Sequence, residues 1–203
     1  MSRFSFASLW RYSWSICLLS GILLLASCGQ NAVTGQTSAR VGGTSAPVCD
    51  IEVSWAKFYG SLTELKQATG LDLVVQGTFT AMRGDASSGA RSTPLMTNFS
   101  FTISKVLLDT HHLSNRSASI TVRQTGGSIG DTVHQVCDDP LFHVGENAIL
   151  FLHQSDAGQY FVVGGPSGRF EVHDGLVQPV NDEGVRLPTG LTEQQFYALL
   201  QAA

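Results

Sequence analysis

From residue 71 onward, apolar side chains return at every second position. Leu73, Val75, Gly77, Phe79 and Ala81 alternate with Asp72, Gln76, Thr78 and Thr80. Phe99, Phe101 and Ile103 alternate in the same way with Asn98, Ser100, Thr102 and Ser104. A period of two belongs to a strand with one buried face, because successive side chains leave a strand on opposite sides. Val106, Leu107 and Leu108 extend the second run past a change of phase at Lys105, where a bulge is expected. Two long half-buried strands in succession require a sheet that packs on another layer or closes on itself.

The rest of the pattern agrees. Residues 119–124 read as a third strand ended by Gly126-Gly127, and residues 84–94 as a polar loop. Residues 148–152 are continuously apolar, which marks a strand covered on both faces. Shorter strands follow at 160–163 and 169–173, and Asp174-Gly175 is a hairpin signal leading into Leu176-Val177. Residues 51–59 suit helix and strand equally.

Helices are written only at the ends. Ser61 and Glu64 have capping-box spacing, Leu62, Leu65 and Ala68 share a face, and Gly70 is placed to stop the helix. Thr192 and Gln195 repeat the box near the C-terminus, with Leu191 and Phe196 at the staple positions. Phe196, Leu199 and Leu200 then form a stripe that must pack on the sheet for so short a helix to persist. The expected fold is mainly β: a small OB-like barrel or a sandwich, with five main strands, a short helix before the first of them and a C-terminal helix. With 21 glycines, 6 prolines and 14% charged residues, a coiled coil is excluded. A net charge of −4 argues against a nucleic-acid binder.

Residues 1–27 have another purpose. Arg3 and Arg11 give a basic start, residues 16–25 are apolar, and Ala26 and Ser27 are small. This is the layout of an export signal, with an apolar stretch shorter than the ~20 residues of a spanning helix. The tetrapeptide Leu25-Ala26-Ser27-Cys28 resembles the lipobox of bacterial lipoproteins. The resemblance implies diacylglyceryl attachment to the Cys28 sulfur, further acylation such as palmitate, cleavage before Cys28 and retention at the bacterial cell membrane on the extracytoplasmic side. Arg3 and Arg11 leave with the signal, so ten basic residues then face sixteen acids and the charge becomes −6. Attachment would therefore rest on acyl chains, not on a polybasic patch. Residues 28–48 read as a flexible tether, of which residues 29–47 span roughly 25 Å, and residues 49–203 as one domain.

Cys17 goes with the signal and Cys28 with the lipid. Cys49 and Cys137 remain, an even pair that favours a disulfide in an oxidising compartment. Such a bridge is worth about 4 to 5 kcal/mol in the chain-entropy model.

Several motifs together resemble an uncharacterised family of secreted or lipid-anchored bacterial proteins. They are Ser61-Leu62-x-Glu64-Leu65, Val75-x-Gly77-Thr78, Asp139-Pro140-Leu141-Phe142-x-x-Gly145-Glu146, Ile149-Leu150-Phe151-Leu152 and Gly164-Gly165-Pro166-x-Gly168-Arg169-Phe170. The resemblance covers roughly residues 58–175 and implies a shared fold without an activity. The strand order is also distantly similar to the OB-type domain of tissue inhibitors of metalloproteases and netrin modules. In those inhibitors a free N-terminal cysteine ligates the protease metal. Here the first mature cysteine would be acylated and Cys49 lies inside the chain, so that mechanism does not carry over.

Candidate chemistry is sparse. Gly164-Gly165-Pro166-Ser167-Gly168 lacks the Gly-Lys-Ser/Thr ending of a phosphate loop and reads as a turn between strands. Asp109, His111 and His112 are candidate metal ligands at a strand end, yet adjacent strand residues diverge, which favours solvated loop histidines. Asp138-Asp139-Pro140 reads as a turn, and Glu146 as a buried partner for a base such as Arg169. No catalytic set and no cofactor are expected. The expected function is a lipid-anchored binding module for an envelope protein or a small ligand. The alternatives are an extracytoplasmic hydrolase near His111-His112 or Asp138-Asp139, and an envelope assembly lipoprotein.

Overall fold

The computed structural model of the protein describes residues 46–55, 57–84, 94–112 and 118–203. The expected export signal, Cys28 and most of the expected tether lie outside the described residues. Among the described residues nine strands and two α-helices follow in the order β1 (Val48–Ile51), α1 (Leu62–Lys66), β2 (Leu73–Gly84), β3 (Met96–Asp109), β4 (Ser119–Ile129), β5 (Thr132–Val136), β6 (Asn147–Gln154), β7 (Tyr160–Val162), β8 (Arg169–His173), β9 (Leu176–Pro179) and α2 (Glu193–Ala202).

The long strand β2 pairs antiparallel with β3 on one side and β6 on the other. β3 continues to β4 and β6 to β7. β7 then meets β4 in parallel at Tyr160 and Val122, closing five strands in the cyclic order β2-β3-β4-β7-β6. This is the OB-like barrel expected from the alternation. The β2–β3 register slips at three places, one of them where Ile103 and Lys105 face consecutive residues of β2, which puts a bulge at the phase change.

The alternation sorts two cores. Leu73, Val75 and Phe79 of β2 point inward with Phe99, Phe101, Leu150 and Leu152. The loop residue Phe142 plugs this interior, its ring 4.2 Å from that of Phe79. Val74, Ile149 and Phe151 point outward into a second core with α1, α2, Phe170 and Val177. Hence the unbroken apolar run of β6, whose two faces serve two cores.

Local signals set the helices. Ser61 Oγ accepts the Glu64 N–H at 3.2 Å, while Glu64 Oε2 reaches the Gly60 N–H at 3.0 Å, one residue earlier than a full box requires. α1 is a single turn and stops before Ala68. At α2 both arms of the box form, and Leu191 and Phe196 are buried. Leu199 departs from the expected stripe and is 41% exposed. Tyr197 takes its place against the barrel: its hydroxyl donates to Gln76 Oε1 and lies 2.9 Å from Glu193 Oε2, and Lys105 Nζ sits 3.6 Å from its ring centre.

The sequence pattern missed two strands. β4 does not end at Gly126-Gly127 but runs through both to Ile129 and pairs with β5. The glycines mark crowding, not a terminus: a Cβ on Gly126 would fall 2.9 Å from the His134 carbonyl oxygen, and one on Gly127 2.7 Å from Thr97 Oγ1. β1 lies parallel to β5, with Val48 opposite His134. Cys49 and Cys137 join beside this pair as the expected disulfide, their Cα atoms 4.9 Å apart.

Candidate functional site

One end of the barrel is organised by a buried cation. Arg169 begins β8 and is 1% exposed. Its guanidinium donates to Glu146 Oε1 at 2.9 Å and Oε2 at 3.0 Å through Nη2, and to Oε1 again through Nε at 3.2 Å. Nη1 donates to the Pro140 carbonyl at 2.5 Å and lies 3.4 Å from Asp139 Oδ1. The Phe142 ring, 4.4 Å from the guanidinium carbon, covers one face. A charge so thoroughly removed from water persists only when paired and hydrogen-bonded, and the expected Glu146–Arg169 pair provides this.

The adjacent acids of the 138–140 turn have separate duties. Asp138 Oδ2 accepts the indole N–H of Trp55 at 3.0 Å, and its carbonyl accepts Asn181 Nδ2 at 3.0 Å. Asp139 is buried. That burial raises its carboxyl above the ordinary value of 3.8, with the Arg169 charge opposing. Gln124 holds the turn in place: its amide N–H groups donate to the carbonyls of Asp139 and Pro140, and its oxygen accepts the Phe142 N–H.

The glycine loop acts as a cradle. Residues Gly165–Gly168 form a buried 3-10 turn. A Cβ on Gly164 would fall 2.6 Å from the Tyr59 ring, and one on Gly165 2.4 Å from the Trp55 ring. Ser167 Oγ accepts the Tyr59 N–H at 3.5 Å. Of residues 51–59, which suit helix and strand equally, Ile51 ends β1 and the other described residues are neither; Trp55 and Tyr59 dock on the loop through their rings.

These elements frame a cleft. β4 and β7 share one register pair, Val122 with Tyr160. Beside that junction lies a space of about 120 Å³ lined by Trp55, Arg123, Thr125, Asp139 and Phe161, among others. It combines aromatic walls, a basic group and a buried carboxyl with a raised pKa, which makes it a candidate binding site. Sequence reasoning passed over Trp55, Arg123 and Phe161 because they stand on three separate segments.

The candidate metal ligands do not converge. Asp109 faces Leu73 at the end of β3, and His112 is exposed with φ 55. His111 Nε2 turns instead to Asp72 Oδ1 at 3.3 Å. Asp72 Oδ2 accepts the Gln154 N–H at 2.7 Å and lies 2.9 Å from His153 Nδ1. That nitrogen also lies 2.9 Å from the Gly70 carbonyl, so with two acceptors facing it Nδ1 carries the proton. Register explains the meeting, since Leu73 stands opposite both Asp109 and Leu152. His134 and His173 pair elsewhere, with Asp50 at 2.8 Å and Glu171 at 2.9 Å. Among the described residues no set of three or more His, Cys, Asp or Glu side chains is arranged to hold a metal ion. No helix among them is long and apolar enough to cross a membrane.

No protein-family model, no curated protein and no solved structure matches the chain.

Proposed function

We propose that the chain is a lipid-anchored extracytoplasmic binding module. Residues 1–27 direct export, Cys28 carries the lipid, and residues 28–48 hold the barrel clear of a bacterial membrane. The observation that carries this reading is the Cys49–Cys137 disulfide, a bond that persists in oxidising compartments. Binding is supported by the cleft beside Trp55. Its walls are held by their own hydrogen bonds, from Trp55 to Asp138 and from Gln124 to the 139–142 turn, and preorganised walls lower the cost of recognition.

The test is fractionation and intact mass of the protein expressed in a bacterium. Wild type should partition with membranes and carry acyl mass on Cys28, and Cys28→Ser should accumulate as unprocessed precursor. Soluble wild-type protein without acyl mass overturns the anchor.

A second reading, an extracytoplasmic hydrolase, draws on the Asp72–His153 pair, in which a carboxylate orients an imidazole as general bases require. Turnover of an ester or peptide substrate that disappears in His153→Ala would establish it.

A further inference from the structure

The three most exposed large apolar side chains among the described residues are Val144 at 61%, Ile129 at 58% and Met82 at 54%. All three stand at one end of the barrel. Met82 lies near the end of β2, opposite Phe99, and lines a space of about 180 Å³ together with Gly127 and Ser128 of β4. Ile129 follows Ser128 and faces Thr132 at the tip of the β4–β5 hairpin. Val144 sits beside the same stretch of β2, because the Gly145 N–H donates to the Phe79 carbonyl at 2.7 Å.

The chain enters the domain at this end. β1 runs parallel to β5 with Val48 opposite His134, and His134 faces Gly127 of β4. Ala46 and Pro47 therefore arrive from the side of the Ile129–Thr132 hairpin. A coil with a reach of roughly 25 Å brings the end it is joined to back to its anchoring surface more often than the far end. Apolar side chains standing singly on a turn, a hairpin tip and a strand end suit the boundary between headgroups and acyl chains, where each enters between lipids. Charge alone does not hold this end there. Arg83, exposed beside Met82, favours lipid phosphates, and Asp131, exposed near Ile129, opposes them.

We propose that this end of the barrel docks on the bilayer that holds the anchor, with Met82, Ile129 and Val144 entering the headgroup region. The inference rests on the lipid-anchor reading. It adds that the tether, long enough to hold the barrel clear, lets this one end return to the surface.

The acylated full-length product is reconstituted in phosphatidylethanolamine–phosphatidylglycerol vesicles, with and without bromine on the acyl chains. Trp10 and Trp14 leave with the signal, so Trp55 is the single background tryptophan of the processed chain, and wild type supplies its correction. Met82→Trp, Ile129→Trp and Val144→Trp are compared with Val106→Trp, an exposed site roughly 20 Å along β3 from Phe99, the partner of Met82. Bromine should quench the first three at least about twofold more than Val106→Trp, as befits side chains seated in the interface. Met82→Ser with Ile129→Ser should reduce quenching of Val144→Trp about twofold or more at an unchanged melting temperature. Equal quenching at all four sites, or none, in protein that floats with the vesicles and carries acyl mass overturns the docking face and leaves the anchor standing. Blue-shifted, unquenched emission that grows with protein density places a second copy on this face and also overturns it. Wild type without acyl mass overturns the anchor, and the docking with it.

Discussion

Gly165 packs its bare Cα against the indole of Trp55: a Cβ at residue 165 would fall 2.4 Å from the ring, and the residue holds φ +56. One contact thereby does two things. It seats the chain around Trp55 on the barrel, and it fixes one wall of the cleft. The Trp55 N–H bond to Asp138 sets the angle of the ring at that wall.

Gly165→Ala should therefore move Trp55 and not merely add a methyl group. The left-handed backbone and the clash together should cost about 1 to 3 kcal/mol. Emission from Trp55 should shift to the red as the indole gains water. Unchanged emission and melting temperature would show that the segment sits there without this contact.

The two buried acids facing Arg169 should respond oppositely to neutralisation. Glu146→Gln removes the bidentate partner of a buried cation and should cost about 3 to 5 kcal/mol. Asp139→Asn should match or exceed wild type near neutral pH, because burial already penalises the charged form.

The pH dependence follows from that raised pKa. The folded chain holds the Asp139 proton more tightly than the unfolded chain, whose value is near 3.8. The group's contribution to stability is thus complete below 3.8 and is lost as pH rises through the raised folded value. The advantage of Asp139→Asn over wild type should shrink as pH falls from neutral toward that value, measured by urea unfolding across the range. An advantage that grows on acidification would contradict the assignment.

Tyr197 should govern the alkaline limit. Burial, reinforced by Glu193, pushes its phenol up to about 12 from 10.0. A raised acid contributes stability below the unfolded value, and that stability is lost as pH climbs from 10.0 to about 12. Phenolate absorbance should show Tyr197 titrating late, a step that Tyr197→Phe should remove. The substitution should also flatten the loss of stability over the same interval.

The disulfide should protect both thiols in the native protein. Maleimide should label neither Cys49 nor Cys137, and Cys49→Ala should expose Cys137. Losing a bridge across 88 residues should cost about 2 to 5 kcal/mol, read as a lower melting temperature. Native thiols that both react would refute the bond.

What the sequence determined by itself is whatever short-range geometry dictates. The period of two in β2 and β3, the apolar run of β6, and the reciprocal cap at Thr192 and Gln195 depend on residues a few positions apart. The Asp174-Gly175 turn is of the same kind, with φ 51 and 77 as a two-residue hairpin demands. Even the Glu146–Arg169 pair was legible, because an acid and a base beside buried strands must find one another.

The tertiary structure alone decided which strand ends become neighbours. Barrel closure brings together Asp72, just before β2, His111, just after β3, and His153 of β6. The same closure places Trp55, Thr125 and Phe161 around one cleft. β1 and β5 escaped notice because a short parallel edge pair held by a disulfide has no periodicity of its own. Side-chain alternation specifies which face of a strand is buried; the identity of its neighbours comes from register and closure, which are properties of the whole sheet.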